Sequence, residues 1–586
     1  MDGKSPAKVV LSLGLHEADQ AMAENTEGPK QQGRSRIGKR DPQDTHVYLI
    51  GGGIASLVAT VHLIHDAEVP AKQVHIIEAA NKAGGAMSSV NSAEKGYSIR
   101  GTRKLNFTYH CLYDTLSKVP SGKDGRTILQ EINSFNKYFN SPSHHKSTGG
   151  NPIRLVAATD SGPRIVDATK LNLEGGDKVK LLELLLKEES DIGDEEIQHC
   201  FSPRFCESLF WDLWCTMYGF QPWHSAKEFR RYLHRFLHEF PNLQNMAGVE
   251  RTPMNDFESV ILPLEKYLVD LGVDFRYGIT VESLEFNKES GDEICVSKLN
   301  TKVAGTTNAA IDVRPQDIVL TTLGSMVSDC KVGSNVEQPP PMPKQAEITE
   351  NLSLVWKLWT DLANPELNRH AAAFGDPANF YSRVANSNWL CFTVTLKNTD
   401  FMKRLGDWAG GQRDSYPLVT FRDSPWLVSI TIPNQPYFLG QPKETVVLWG
   451  YGLFPDQDGT YAKKPMTKCS GQDIFKEVLG HLGFPTSPIL DRSITIPVFM
   501  PFIGSPFVTR KEGDRPQVVP EKSVNLGLMG QFVEMERDVT FTMEYSARSA
   551  QTAVYALMGL DKAPHQVYRG DHSVKVLGEA LKAIMG

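Results

Sequence analysis

Apolar and polar positions first fall into a readable pattern at His46-Val47-Tyr48-Leu49-Ile50, a short apolar run closed by glycines, which predicts a strand. The turn GGGIAS, the apolar-rich LVATVHLIHD and a second run, VHIIE, follow in order and end at Glu78. That order predicts strand, glycine turn, helix and strand, one βαβ unit. Between about 150 and 250, LLELLLKEE and FCESLFWDLWCTMYGF have the spacing of amphipathic or buried helices. PLEKYLVDLGVDFRYGITVESLEF (263–286) followed by DIVLTTLGS (317–325) predicts a second βαβ-like unit. The cluster PPPMP at 339–343 marks a connection, because proline lacks the amide donor that helix or sheet uses. From about 380 to 455, CFTVTL, WLVSITI and ETVVLWG predict strands separated by turns.

Residues 1–44 show no such periodicity, and the five basic residues from Lys30 to Arg40 sit among Gly, Gln and Ser. They read as a disordered leader with a solvated charge run, a nuclear or membrane-surface signal being the alternative. The final SVKVLGEALKAIMG (573–586) has apolar residues at helical spacing and two lysines, which suits a helix packed on its own domain or one lying at a membrane interface.

Composition narrows the class. With 40% hydrophobic and 22% charged residues in 586, the chain can bury a large core and accommodate several domains. Lys plus Arg number 62 against 69 Asp plus Glu, a net charge of −7 with no clustered basic footprint, so nucleic acid is not an expected partner. The eight cysteines form no CxxC pair, no metal is expected, and a reducing, cytoplasmic setting follows from their sparse use. No run reaches the length of a membrane span.

Candidate chemistry enters at the first turn. Gly51, Gly53 and Ser56, with Gly52 between the first two, occupy the positions of a G-x-G-x-x-G/A fingerprint after a strand and before a helix. The first glycine permits the tight turn, the second admits a pyrophosphate to the backbone, and the small Ser56 permits close helix packing. Glu78, ending the second strand, can accept both ribose hydroxyl protons. Gly84 and Gly85, with Ser88 just beyond, add a second glycine turn, a combination that points to FAD rather than a simple NAD site. Val281 is expected against the adenine.

The segments GGGIASL (51–57), EKGYSIRG (94–101), FQPWHSAKEFRRYLHRFLHEFP (220–241), WGYGLFPD (449–456), MPFIGSPFVTR (500–510) and GQFVEMERDVTFTMEYSARSAQTAVY (530–555) carry a resemblance in consistent order. The chain resembles the oleate hydratase family, also called the myosin-cross-reactive antigen family, FAD-binding enzymes that add water to a cis double bond of unsaturated fatty acids. The resemblance implies an α/β fold: a Rossmann-like FAD-binding domain of the two-dinucleotide-binding type, an inserted substrate domain of mixed strands and helices, and a small C-terminal helical part. It implies FAD-binding segments at 45–150, 256–335 and 501–560, a helical lid or substrate region at 151–255, a substrate domain at 336–500 and a helical end at 561–586. Gly530, Gln531, Phe532 and Val533 are expected near the flavin, Arg103 in contact with it, and the aromatic stretch from Phe210 to Trp223 either lines an acyl channel or is plain core. The implied partner is an unsaturated fatty acid or similar acyl chain, with room for a peripheral membrane contact and a homodimer.

Three functional clusters depart from the family's pattern. Where bacterial members read R-G-G-R-E-M-E, with the first glutamate activating water, this chain has Arg100-Gly101-Thr102-Arg103-Lys104-Leu105-Asn106. Where they read R-T-K-Y-N-Q-Y-E-S, with a proton-donating tyrosine, it has Arg251-Thr252-Pro253-Met254-Asn255-Asp256-Phe257-Glu258-Ser259. The stretch T-V-N-R-Q-P-H, expected to hold the fatty acid carboxylate, becomes Thr431-Ile432-Pro433-Asn434-Gln435-Pro436-Tyr437. Lys104, Asp256 and Glu258 are therefore the catalytic candidates, and Thr431, Asn434 and Tyr437 the substrate-binding ones. A charged lysine cannot take water's proton, although one depressed by burial can act as a base or hold a carboxylate. The reading stands between a fatty acid hydratase, a flavin oxidoreductase or double-bond isomerase on a specialised fatty acid or polyketide, and a non-catalytic FAD- or lipid-binding homologue.

Overall fold

The computed structural model describes residues 38–139, 141, 153–303, 308–342, 344–411 and 413–585. Five parallel strands form its first sheet: β1 (Val47–Ile50), β2 (Val74–Glu78), β3 (Asp274–Tyr277), β4 (Ile318–Thr322) and β5 (Leu526–Met529), in the order β5-β4-β1-β2-β3. In the central pairing Leu49 lies opposite Ile76 on one side and Leu320 on the other. The four strands other than β3 are almost continuously apolar and buried, as a parallel sheet covered on both faces requires, while β3 at the sheet's end is half-buried. Among the helices are α1 (Ile54–His65), α2 (Leu209–Tyr218), α3 (Leu262–Asp270), α4 (Met543–Met558) and α5 (Val574–Met585). Helices α1 and α4 pack together, and α4 also packs on β5.

The expected second βαβ-like unit is built differently. Helix α3 leads into β3, but the crossover to β4 is a three-stranded antiparallel meander, Ile279–Phe286, Val296–Val303 and Asn308–Asp312. Its alternating polar and apolar residues suit a sheet with one wet face, which the local spacing of 263–286 did not separate from a helix-linked unit.

A second, eight-stranded sheet runs Lys331–Val332, Ser493–Met500, Trp389–Leu396, Val446–Gly452, Ser429–Ile432, Tyr416–Phe421, Leu155–Ala157 and Arg164–Ile165. Two of its strands come from the 151–255 stretch expected to be helical. The strand Trp389–Leu396 is buried throughout. Its even residues Leu390, Phe392, Val394 and Leu396 face one apolar core, while Trp389 and Cys391 join the core shared with the parallel sheet. On that shared side, Thr393 and Thr395 accept hydrogen bonds from the amides of Ile99 (3.1 Å) and Tyr97 (2.9 Å). The segment carrying Arg100 to Lys104 is thus laid between the two sheets.

At the ends, residues 1–37 of the expected leader lie outside the described residues. Arg40, placed in the leader by its composition, is buried and donates to the carbonyls of Leu557 (2.8 Å), Gln316 (2.5 Å) and Val524 (2.7 Å). Helix α5 buries Ala580 and Ile584 against Leu237–Asn242, while Val574 and Met585 stay exposed. No helix among the described residues is long and apolar enough to cross a membrane.

Candidate cofactor turn and cationic cavity

The glycine turn has the backbone its motif calls for. Gly51 sits at φ 99°, open to glycine without strain, and its amide donates to the Ile77 carbonyl at 2.8 Å. A Cβ on Gly53 would meet nothing within 4 Å, so that face of the turn is free for a ligand. Gly53 caps α1 with no side-chain bond, leaving the positive helix end uncapped. The second turn folds onto the first: Gly84, at φ 121°, donates to the Gly52 carbonyl at 2.9 Å. A Cβ on Gly85 would stand 3.3 Å from the Gly53 Cα. Ser56 is fully buried, and its Oγ has no hydrogen-bond partner among the described residues.

Glu78 ends β2 with its carboxylate turned onto this turn, accepting from the amides of Gly52 (2.6 Å) and Ala80 (2.7 Å). Ser88 Oγ accepts from the Arg100 guanidinium, which also reaches the Gly85 carbonyl at 3.0 Å. Val281 is buried in the first strand of the meander. Gly530 closes β5, its amide donating to Ser549 Oγ at 3.1 Å. Phe532 packs among Trp356, Trp359 and Phe380, and Val533 is fully buried, so both side chains are spent on the core. Helix α4 begins only at Met543, and Gln531 bridges the gap by donating to Thr542 O (2.9 Å) and Ser546 Oγ (2.7 Å).

The three clusters that depart from the family's pattern converge. The Leu105 amide donates to the Glu250 carbonyl at 2.9 Å, and the Arg103 amide to Asp256 Oδ2 at 2.9 Å. Asn255 donates from its amide (3.0 Å) and Nδ2 (2.9 Å) to the Tyr437 carbonyl. These ties enclose a cavity of about 20 Å³ lined by Arg103, Lys104, Arg251, Thr431, Asn434 and Tyr437, among others. That is space for about one water molecule. Arg103 links the two regions, because its Nη2 donates to the Ala86 carbonyl in the second glycine turn at 3.0 Å.

The cavity's charge is strongly one-sided. Burial, with Arg251 next to it and Asp256 opposing, brings the Lys104 ammonium down to about 7. Burial and Arg413 lower Arg251 to about 10, which leaves it charged at neutral pH. The Arg251 guanidinium stacks on Phe139, 4.5 Å from the ring centroid, and its Nε and Nη1 have no hydrogen-bond partner among the described residues. Asp256 is raised by burial against the pull of Arg103, and its Oδ1 is likewise unpartnered. The Tyr437 hydroxyl is pushed well up by burial and stays protonated. Thr431 donates its hydroxyl to the Pro417 carbonyl at 3.0 Å.

Neither Asp256 nor Glu258 lines the cavity, but Asp256 is tied to its wall through the Arg103 amide, whereas Glu258 is turned away. The Glu258 carboxylate accepts from the Leu439 amide (2.6 Å) and Asn91 Nδ2 (3.2 Å), so it ties two loops together rather than facing Lys104. The aromatic stretch from Phe210 packs α2 into the core, with Trp214 against Phe229 and Phe240. Several lining residues were not singled out from the sequence, Arg251 and Ser415 among them. Arg251 stood within the stretch 251–259 without a role of its own, and Ser415 belongs to no motif.

The fold and the first turn define a Rossmann-type α/β protein with a second sheet domain and a polar cavity between them. The chain belongs to the MCRA family, whose model matches residues 44–555. It is 32% identical over 549 residues to an oleate hydratase of Streptococcus pyogenes serotype M49 (strain NZ131), covering 92% of this chain and 88% of that one. A linoleate hydratase of Lactiplantibacillus plantarum is 29% identical over 580 residues, covering 91% of this chain and 97% of the other. Among solved structures, an oxidoreductase from Methanosarcina mazei overlaps with a TM-score of 0.48 at 12% identity, covering 88% of this chain and 100% of that one, too loose a likeness to bear on function.

Proposed function

We propose that this chain is an FAD-binding fatty acid hydratase, a hydro-lyase that adds water across a cis double bond of an unsaturated long-chain acid. The observation that carries the reading is the convergence of 103–104, 251–256 and 431–437 on one polar cavity tied through Arg103 to the second glycine turn. The oleate and linoleate hydratase relatives support the same chemistry. The parallel sheet, from 45–150, 256–335 and 501–560, is then the cofactor domain, and 336–500 the substrate domain.

The residues present fit FAD. Gly51, Gly52, Gly53, Gly84 and Gly85 offer free backbone to a pyrophosphate, α1 offers its uncapped end, and the Glu78 carboxylate exchanges its amide bonds for ribose hydroxyls. Ser56, Ser88, Val281 and the backbone of 530–533 flank that course, with Arg103 between it and the cavity. When bound, the flavin supplies a planar polar surface beside the substrate, and hydration draws no electrons from it.

Hydration puts a proton on one alkene carbon and a hydroxyl on the other, and water's remaining proton must be collected. Asp256, which stands behind the cavity wall on the Arg103 amide and within electrostatic reach of Lys104, is assigned to this proton transfer, because burial raises its carboxyl. Tyr437, held protonated, donates hydrogen bonds, and Thr431 and Asn434 complete the polar wall. The test is to incubate FAD-loaded protein with a panel of unsaturated acids and weigh the products. A gain of one water is expected. A shifted or oxidised double bond would replace the hydratase reading with an isomerase or oxidoreductase, and unchanged acids would leave a binding protein.

A further inference from the structure

We propose that His46, His75 and Asp274 form an acid-sensitive clasp at the start of the parallel sheet, closed while one proton lies between the two imidazoles and opened when both imidazoles are charged. The clasp lies at the opposite end of β1 and β2 from Gly51 and Glu78, and its effect on FAD rests on the reading of this sheet as the cofactor domain.

The geometry supplies the argument. His46 immediately precedes β1, His75 stands in β2 and Asp274 opens β3. Tyr48 lies opposite His75 and His75 opposite Asp274, so the three strands present these side chains on one face, and His46, two residues before Tyr48, falls on it too. His46 Nδ1 and His75 Nε2 are 3.0 Å apart, with the ring planes at 0° and the centroids at 5.3 Å. That separation is little more than the nitrogen–nitrogen distance plus the two ring radii, so the rings meet end to end in an in-line hydrogen bond. His75 Nδ1 is 2.9 Å from Asp274 Oδ2. A carboxylate only accepts, so His75 donates from Nδ1 and accepts at Nε2, and the bridging proton belongs to His46 Nδ1. A further proton on His46 Nε2 leaves this chain intact. One on His75 Nε2 sets two N–H groups against each other and breaks the tie between β1 and β2.

The surrounding charges decide how readily that happens. Asp44 stands beside His46, and Asp317, paired with Arg314, accepts from the His46 amide at 3.0 Å. Arg276 donates from Nε to Asp274 Oδ2 at 2.7 Å and brings Nη2 to 3.2 Å from His75 Nδ1, while the Tyr48 ring stacks on His75 at 5.0 Å. Burial, with Arg276 and His46 adding to it and Asp274 opposing, holds His75 below the usual imidazole range. An opened clasp therefore binds one proton more than a closed one just below that range, and acid drives the opening.

The experiment follows amide hydrogen exchange of the FAD-loaded protein in residues 46–50 and 74–78 from about pH 7.5 to about pH 5.5, with flavin release read by fluorescence alongside. Exchange is expressed as protection factors, which divide out the chemical effect of pH. Protection is expected to fall by up to about tenfold for each pH unit below about 6.5, with flavin release rising in step. Amides of β5, away from the clasp, should keep theirs. His75→Gln and His46→Gln each remove one of the two charges that must coincide while leaving a hydrogen-bonding side chain, so both should lose most of the pH dependence. Protection that is constant with pH in the native protein, an equal fall in β5, or a pH dependence that survives in both variants would overturn the proposal. Exchange is read on the strands themselves, so its failure is distinguishable from a failure of the cofactor reading.

Discussion

The glycine turn proposed for the cofactor and the cationic cavity lie on either side of Arg103 and are built under different rules. At the turn, function needs backbone: glycines at positive φ, an uncapped helix end and amides without side chains in the way. In the cavity, function needs side chains, and the fold only holds three loops together through backbone bonds such as Asn255 to Tyr437. The frame of a side-chain site can therefore persist while its charges are exchanged, as Lys104 shows. A backbone site has no such freedom, because any side chain placed there occupies the ligand's space.

Gly53→Val breaks that comparison at its strongest point and carries the largest expected effect. The free space around a Gly53 Cβ predicts a variant that folds normally, while its branched side chain projects to where a pyrophosphate must come. The purified variant is expected to be colourless with native circular dichroism. Full flavin absorbance in a folded Gly53→Val protein would show that the turn is not the cofactor site.

Asp256→Asn probes the other side. The amide keeps an oxygen for the Arg103 N–H, so the loop is retained while the proton transfer is lost. Hydration should fall by about 10²- to 10⁴-fold with flavin content unchanged. A rate within about threefold of native would move the role away from Asp256.

This difference also governs what was legible from the sequence. The βαβ unit, the glycine turns and Glu78 could be read because each residue type has one geometric reason to stand where it does. The meander after β3 could not, since residues 279–286 look alike whether the crossover is a helix or a hairpin until the partner strands are known. Lys104 and Asp256 were legible as departures from a family pattern. Arg251 was not, because what distinguishes it is the lack of a partner, which only the three-dimensional packing reveals. Glu258 looked equivalent to Asp256 two positions away, and the π-helical turn from Phe257 to Ile261 begins between them and accompanies its turn toward Leu439 instead.

Glu78→Ala sharpens the contrast within the turn itself. Its carboxylate serves two amides that water can partly satisfy, so removing it should weaken FAD by about tenfold rather than abolish binding. Titration of the apoprotein with FAD, read by quenching of flavin fluorescence, gives the ratio. A loss as complete as that of Gly53→Val would mean that the side chain, and not the backbone, dominates this site.

The smallest effect concerns stability and belongs to the cavity alone. Lys104 holds a folded pKa of about 7 against an ordinary 10.5, so between those values the unfolded chain binds more protons than the folded one. Stability of the native protein must then rise with pH across that window, and below about 7 the folded state bears the cost of a partly desolvated ammonium beside Arg251. Lys104→Met keeps the length of the side chain and removes the charge. In urea unfolding of the FAD-loaded proteins, the variant should be more stable than the native chain near pH 6, with the advantage shrinking toward about pH 10 as the native lysine becomes neutral in both states. An advantage constant with pH would assign it to packing instead. A variant less stable at every pH would show that the favourable pull of Asp256 outweighs the cost of desolvating Lys104.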